Sequence, residues 1–165
     1  MKPGEKELRD GLTCLQKSRT IILGVGNSLK GDDGAGPVLC GRLKEKIGCE
    51  VIDVGTVPEN YIQAVIKKNP QALLIIDAVD FKAAPGSVKV FRPEQLDSVI
   101  ISTHTLSPRV FIDMIRRDIE VDVYFIGIQP AHAKLAEPIS PEANEAIFLL
   151  EKILTGIFPK DPQIQ

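Results

Sequence analysis

The chain has 165 residues, of which 44% are hydrophobic, and this suits one globular domain, since domains of about 100 to 150 residues are the commonest size. Its 20 Lys and Arg stand against 22 Asp and Glu; neither sign gathers into a block, so no nucleic-acid or membrane surface is announced and a small-molecule or protein substrate is expected. No stretch approaches the roughly 20 apolar residues of a membrane helix, and residues 1–19 lack the apolar centre of a secretory signal, which makes a soluble, cytoplasmic protein the expectation. Cys14, Cys40 and Cys49 are odd in number and contain no C-x-x-C pair; this argues against a disulfide framework and a zinc knuckle and fits reduced, buried thiols.

Before Arg19, the spacing of Leu8, Leu12 and Leu15 suits an extra amphipathic helix. The first strand is expected at Thr20 to Val25 (TIILGV). A Gly-rich turn and a helix near Pro37 to Ile47 follow, where Val38, Leu39, Leu43 and Ile47 recur at helical spacing. Pro37 suits the first helical turn, where its missing N–H is not needed. A second strand, Glu50 to Val54, leads through GTVPEN into a helix from about Glu59 to Lys68, closed by Asn69-Pro70. Ala72 to Ala78 (ALLIIDA) is apolar on both faces until Asp77, as a central parallel strand covered on both sides should be. Asp77 is therefore expected at that strand's carboxyl end.

Ser87 to Phe91 (SVKVF) alternates like a half-exposed edge strand, and the Pro85-Gly86 turn before it predicts a hairpin-like, antiparallel excursion. Ser98 to Ser107 reads as a loop into a helix over Pro108 to Arg117, and Asp122 to Ile128 (DVYFIGI) is the last strand. After QPAHAKLAEPISP, Ala143, Ala146, Ile147, Leu150 and Ile153 mark a helix from about Glu142 to Ile157, and residues 159–165 read as a frayed tail. Strands alternating with helices define an α/β fold: three α/β/α layers around a twisted, mostly parallel five-stranded sheet. Residues 20–158 would form its single domain.

The richest motif is GVGNSLKGDDGAG, residues 24–36, directly after the first strand. Its first half imitates a dinucleotide fingerprint. However, G-x-G-x-x-G needs glycine where Leu29 stands, and Asp32 and Asp33 occupy the place of the phosphate. Taken alone, the acid pair could also serve a helix N-terminus. Asp77 could likewise be clamped by backbone N–H groups, and a loop histidine such as His104 or His132 is more often a structural donor than a ligand. What links Asp33, Asp77 and His104 is topology, since residues after strand one, at the end of strand three and before the next helix converge on the carboxyl edge of a parallel sheet. Two carboxylates and one imidazole can bind a divalent transition metal and leave coordination positions open. A serine hydrolase is disfavoured because no G-x-S-x-G elbow occurs, and cysteine catalysis because Cys40 falls mid-helix among apolar residues.

GVGNSLKGDDGAGP, VIDVGTVPEN, LLIIDAVD, STHTLSP and FIGIQP occur in that order between about Thr20 and Ile157, and together they resemble the nickel-iron hydrogenase maturation endopeptidases, most of all those serving formate-hydrogenlyase-type hydrogenases. The resemblance implies a twisted sheet between helices. It also implies removal of a C-terminal extension from a hydrogenase large-subunit precursor after nickel insertion. Asp33, Asp77 and His104 fall on the family's metal ligands, with Asp33 standing where some members carry Glu, and the two acids are the candidate catalytic groups of an aspartic-type endopeptidase. The nickel would come with the substrate; no organic cofactor, nucleic acid or membrane is implied, and a monomer or weak homodimer is expected. A metal-sensing chaperone of the same precursor and a nucleotide-binding flavodoxin-like module are the alternative readings.

Overall fold

The computed structural model describes residues 3–101 and 106–162 of the chain. Helix α1 (Pro3–Leu12) runs through a 3-10 turn into β1 (Thr20–Val25). A second 3-10 turn at Gly31–Gly34 leads into α2 (Ala35–Leu43), then β2 (Glu50–Gly55), α3 (Ile62–Lys68), β3 (Ala72–Asp80) and β4 (Val88–Phe91). The two-residue β5 (Ile100–Ile101), α4 (Pro108–Arg116), β6 (Asp122–Ile128) and α5 (Pro141–Ile157) complete the order.

The sheet order is β2-β1-β3-β6-β4, with β5 attached to β3. β2, β1, β3 and β6 are parallel, and β4 lies antiparallel on β6. This is the expected α/β fold with its mostly parallel five-stranded sheet. The strands are apolar on both faces because both faces are covered. In β1 and β3, Ile22, Leu74 and Ile76 join one core with Leu12, Leu39, Leu43 and the buried stripe of α5. Their alternates Ile21, Leu23, Leu73 and Ile75 join the other core with Ile62, Val65, Phe111 and Ile115 from α3 and α4. Period-two alternation in the strands thus assigns α1, α2 and α5 to one layer and α3 and α4 to the other. Among the described residues, no helix is long and apolar enough to cross a membrane.

Several expected boundaries shift, each for a long-range reason. α2 stops at Leu43 instead of Ile47, because Ile47 forms an isolated bridge with Pro159 and the Gly48 N–H donates to the Phe158 carbonyl at 3.0 Å. Pro159 is thereby tied into the fold, whereas residues 163–165 of the expected tail lie outside the described residues. The segment expected as loop from Ser98 contains β5, whose backbone pairs antiparallel with Val79 and Asp80 and extends β3 beyond Asp77. Asp77 is therefore inside β3 and not its last residue. β4 is the expected antiparallel edge strand, but it forms no hairpin with β3, because β6 is inserted between them.

Candidate active site

β1 is followed by a helix on one face of the sheet, whereas the helix leading into β3 lies on the other, so the chain reverses direction across the sheet between these two neighbours. In open α/β sheets, ligands enter the crevice at such a reversal, beyond the carboxyl ends of the strands. The register pairs Gly24 with Ile76, which sets Asp77 level with the end of β1.

Asp33 sits in the Gly31–Gly34 turn above β1 and is 4% exposed; Asp77 is 1% exposed. Two carboxylates so withdrawn from water are costly unless charge and donors compensate them. The Asn27 N–H donates to Asp33 Oδ2 at 3.1 Å, and the Ala78 N–H donates to Asp77 Oδ1 at 2.8 Å. The N–H clamp considered for Asp77 therefore exists, within the strand instead of in a following turn. Gly26, at φ 145°, makes the reversal possible: a Cβ there would stand 1.9 Å from the Asp33 carbonyl oxygen. Gly36 brings the start of α2 close to the sheet, since a Cβ at that position would lie 2.7 Å from the carbonyl oxygen of Ile76, the residue before Asp77.

Asp77 faces the α3 and α4 side, where it lines a small cavity with Val25, Pro58, Leu106, Pro108 and Phe111. His104 lies outside the described residues. Of the described residues that flank it, Ile101 pairs with Val79 of β3 and Leu106 shares the Asp77 cavity. Among the described residues, no group of three His, Cys, Asp or Glu is placed to hold a metal; Asp33 and Asp77 supply two acids at one edge.

Asp32 is fully buried and does not serve the N-terminus of its own helix. Its Oδ2 accepts from the Ala131 N–H at 2.7 Å, the His132 N–H at 3.4 Å and the Ser140 hydroxyl at 2.8 Å, while Oδ1 accepts from the Ser140 N–H at 2.7 Å. It anchors the loop after β6 to the Gly-rich turn and fixes Ser140, whose Oγ caps α5 by accepting from the Ala143 N–H. His132, which matched no motif, rests its imidazole where a Cβ at Gly31 would stand. Gln129 of the FIGIQP segment is buried, and its Oε1 accepts from the Phe81 and Ala83 N–H groups at 2.9 and 3.2 Å, fastening the turn after β3. No local pattern pairs these residues, because their partners lie some distance along the chain. Cys40 is buried in α2, and burial, with the nearby Asp53 carboxylate, pushes its thiol up to about 12. That leaves almost no thiolate at neutral pH.

The family model for HycI, hydrogenase maturation protease, matches residues 38–157. The Hydrogenase 3 maturation protease of Escherichia coli (strain K12) is 35% identical over 139 residues, covering 82% of this chain and 88% of that relative. The crystal structure of a NiFe hydrogenase maturation protease HycI from Thermococcus kodakarensis KOD1 superposes with a TM-score of 0.80 at 28% identity, over 92% of this chain and 97% of that one. The solution structure of the endopeptidase HycI from Escherichia coli does so with a TM-score of 0.75 at 35% identity, over 83% and 89%. A family model spanning most of the domain, and a relative sharing a third of its residues along most of both chains, agree with the fold: this chain belongs to the hydrogenase maturation protease family.

Proposed function

We propose that this chain is an endopeptidase that removes the C-terminal extension of a nickel-iron hydrogenase large-subunit precursor once nickel has been inserted, and that Asp33, Asp77 and His104 contact the nickel carried by that substrate. The observation that carries the reading is the pair of buried acids, Asp33 in the turn after β1 and Asp77 on the neighbouring β3, at the reversal point of a maturation-protease fold. A divalent transition metal accepts carboxylate oxygen and imidazole nitrogen together. Its charge also offsets the cost of holding two acids out of water. A nickel-loaded precursor is then bound in preference to an empty one, and cleavage reports completed insertion.

Contact with the metal brings the peptide beside it to the carboxylates, where proximity lowers the barrier. Nickel held by the substrate would polarise a nearby carbonyl or activate a water there. The chain's own contribution is a carboxylate, Asp33 or Asp77, that takes the proton of the attacking water. Asp33→Asn, Asp77→Asn and His104→Ala are each expected to fold with wild-type circular dichroism. Each should trim a nickel-loaded precursor at least about a hundredfold more slowly, as read by intact mass of the product. Wild-type rates in all three variants would reject the site. An extension left in place by the wild-type chain would instead favour a metal-sensing chaperone.

A further inference from the structure

Two large apolar side chains stand in water at the rim of the candidate site. Leu29 is 67% exposed and Leu135 is 68% exposed, far more than any other large apolar residue described. They belong to different loops, residues 27–31 after β1 and residues 131–137 after β6, which are bonded to each other. The Ala136 N–H donates to the carbonyl of Leu29 itself at 2.8 Å, the Gly31 N–H to the Glu137 carbonyl at 3.1 Å, and the Asp32 N–H to the His132 carbonyl at 3.1 Å. The buried Asp32 carboxylate adds its bonds to Ala131 and Ser140. The backbones that carry the two leucines are thus joined across a bonded seam. Exposed apolar groups on prearranged backbone suit a binding surface, because little ordering entropy remains to be lost on contact.

Position and charge narrow the partner. Leu29 stands four residues before Asp33, in the loop that leads into its turn, so a protein that brings its own metal to Asp33 would rest on the surface beside it. The charged side chains of the two loops are Lys30, Lys134 and Glu137. Neither lysine forms an ion pair among the described residues. A complementary surface is therefore apolar at its centre with carboxylates at its border.

We propose that Leu29 and Leu135 form a docking patch for the folded large-subunit precursor, receiving an apolar surface of that protein whose bordering carboxylates meet Lys30 and Lys134. The proposal rests on the endopeptidase reading and separates recognition of the protein from contact with its metal.

The test uses the full chain and a nickel-loaded large-subunit precursor of a formate-hydrogenlyase-type hydrogenase, with binding measured separately from trimming. Leu29→Ser combined with Leu135→Ser is expected to weaken binding and raise KM about tenfold or more, with kcat at saturation and Tm near wild type. Leu29→Met with Leu135→Met should restore both. Lys30→Glu with Lys134→Glu should weaken binding most at low salt. Wild-type KM and affinity in the double serine variant would overturn the proposal. So would a loss confined to kcat, or sedimentation showing a wild-type dimer that the serines dissolve without changing KM, since a second copy would then be the occupant. A wild-type chain that binds the precursor through these leucines but leaves it uncut would defeat the endopeptidase reading and leave the docking patch standing.

Discussion

Asp32 and Asp33 are adjacent and both buried, yet their carboxylates meet different parts of the molecule. Asp33 accepts from Asn27 within its own loop, whereas Asp32 reaches the loop after β6 and the start of α5. Asp32→Ala would leave the Ser140 hydroxyl and three N–H groups without their charged acceptor. Hydrogen bonds to charged groups contribute about 1.5 to 3 kcal/mol each and do not simply add, so a loss of about 3 kcal/mol in denaturant-unfolding stability is expected. Asp32→Asn should lose less, because its remaining oxygen still accepts. Gly36 poses a sharper steric test. Replacing a helical glycine with alanine ordinarily stabilises by about 0.5 to 1 kcal/mol. Here the new methyl would lie 2.5 Å from the Val25 carbonyl oxygen and 2.7 Å from that of Ile76. Both are sheet backbone and cannot step aside, so Gly36→Ala should destabilise by about 2 kcal/mol or more, measured by chemical denaturation.

Between elements, α2 and α5 are joined by charge as well as by their apolar stripes. Glu151 of α5 accepts from Arg42 Nε at 2.5 Å and also pairs with Lys46. Burial works to raise the pKa of Glu151, but Lys46 and Arg42 outweigh it and hold the carboxyl below its ordinary value of 4.5. A carboxylate with a depressed folded-state pKa stabilises the fold above its unfolded pKa, and that stabilisation is lost as pH falls through the folded value. Glu151→Gln should therefore cost about 1 kcal/mol at pH 7, since both cations are partly exposed. The difference in Tm between variant and wild type should shrink as pH falls from above 4.5 through the depressed folded value. A gap that stayed constant into acid would assign the effect to packing. At the opposite edge of the sheet, Gln129 fastens the turn after β3, and the Gln129 N–H and carbonyl bond Ser87 and Gly86 just before β4. One residue after β6 thus orders the approach to the strand that pairs with it.

At the scale of the whole molecule, the strand order 2-1-3 places the loops after β1 and β3 side by side, and the helices on opposite faces keep the crevice between them open. The proposed chemistry and the proposed partner contact would then share one edge, with Asp33 and Asp77 buried there and Leu29 and Leu135 exposed. Local apolar pattern was enough to place most of this framework. Thr20–Val25 and Asp122–Ile128 have the expected bounds, α4 and α5 differ from expectation by a residue, and Asp77 was legible as a polar interruption of an apolar strand, Asp33 as an acid in the Gly-rich turn after the first strand. The rest depended on residues far away in the chain. Ile47 left its helix for Pro159, β5 lengthened β3 past Asp77, and Asp32 found donors about a hundred positions on. His104, named from the sequence, lies outside the described residues.

The sequence alone determined the α/β class, the nearly continuous burial of the central strands and the position of Asp77 as a polar break in an apolar strand, because hydrophobic periodicity is a property of neighbouring residues and a lone acid in an apolar run is conspicuous. Only the tertiary structure decided which strand β4 joins, where β3 ends, that Asp32 clamps the loop after β6 while Asp33 accepts from Asn27, and that Leu29 and Leu135 remain exposed on two loops bonded to each other. Those outcomes depend on pairings between distant segments. Backbone groups leaving the ladders must still find partners, and the partners are chosen by proximity in the folded chain.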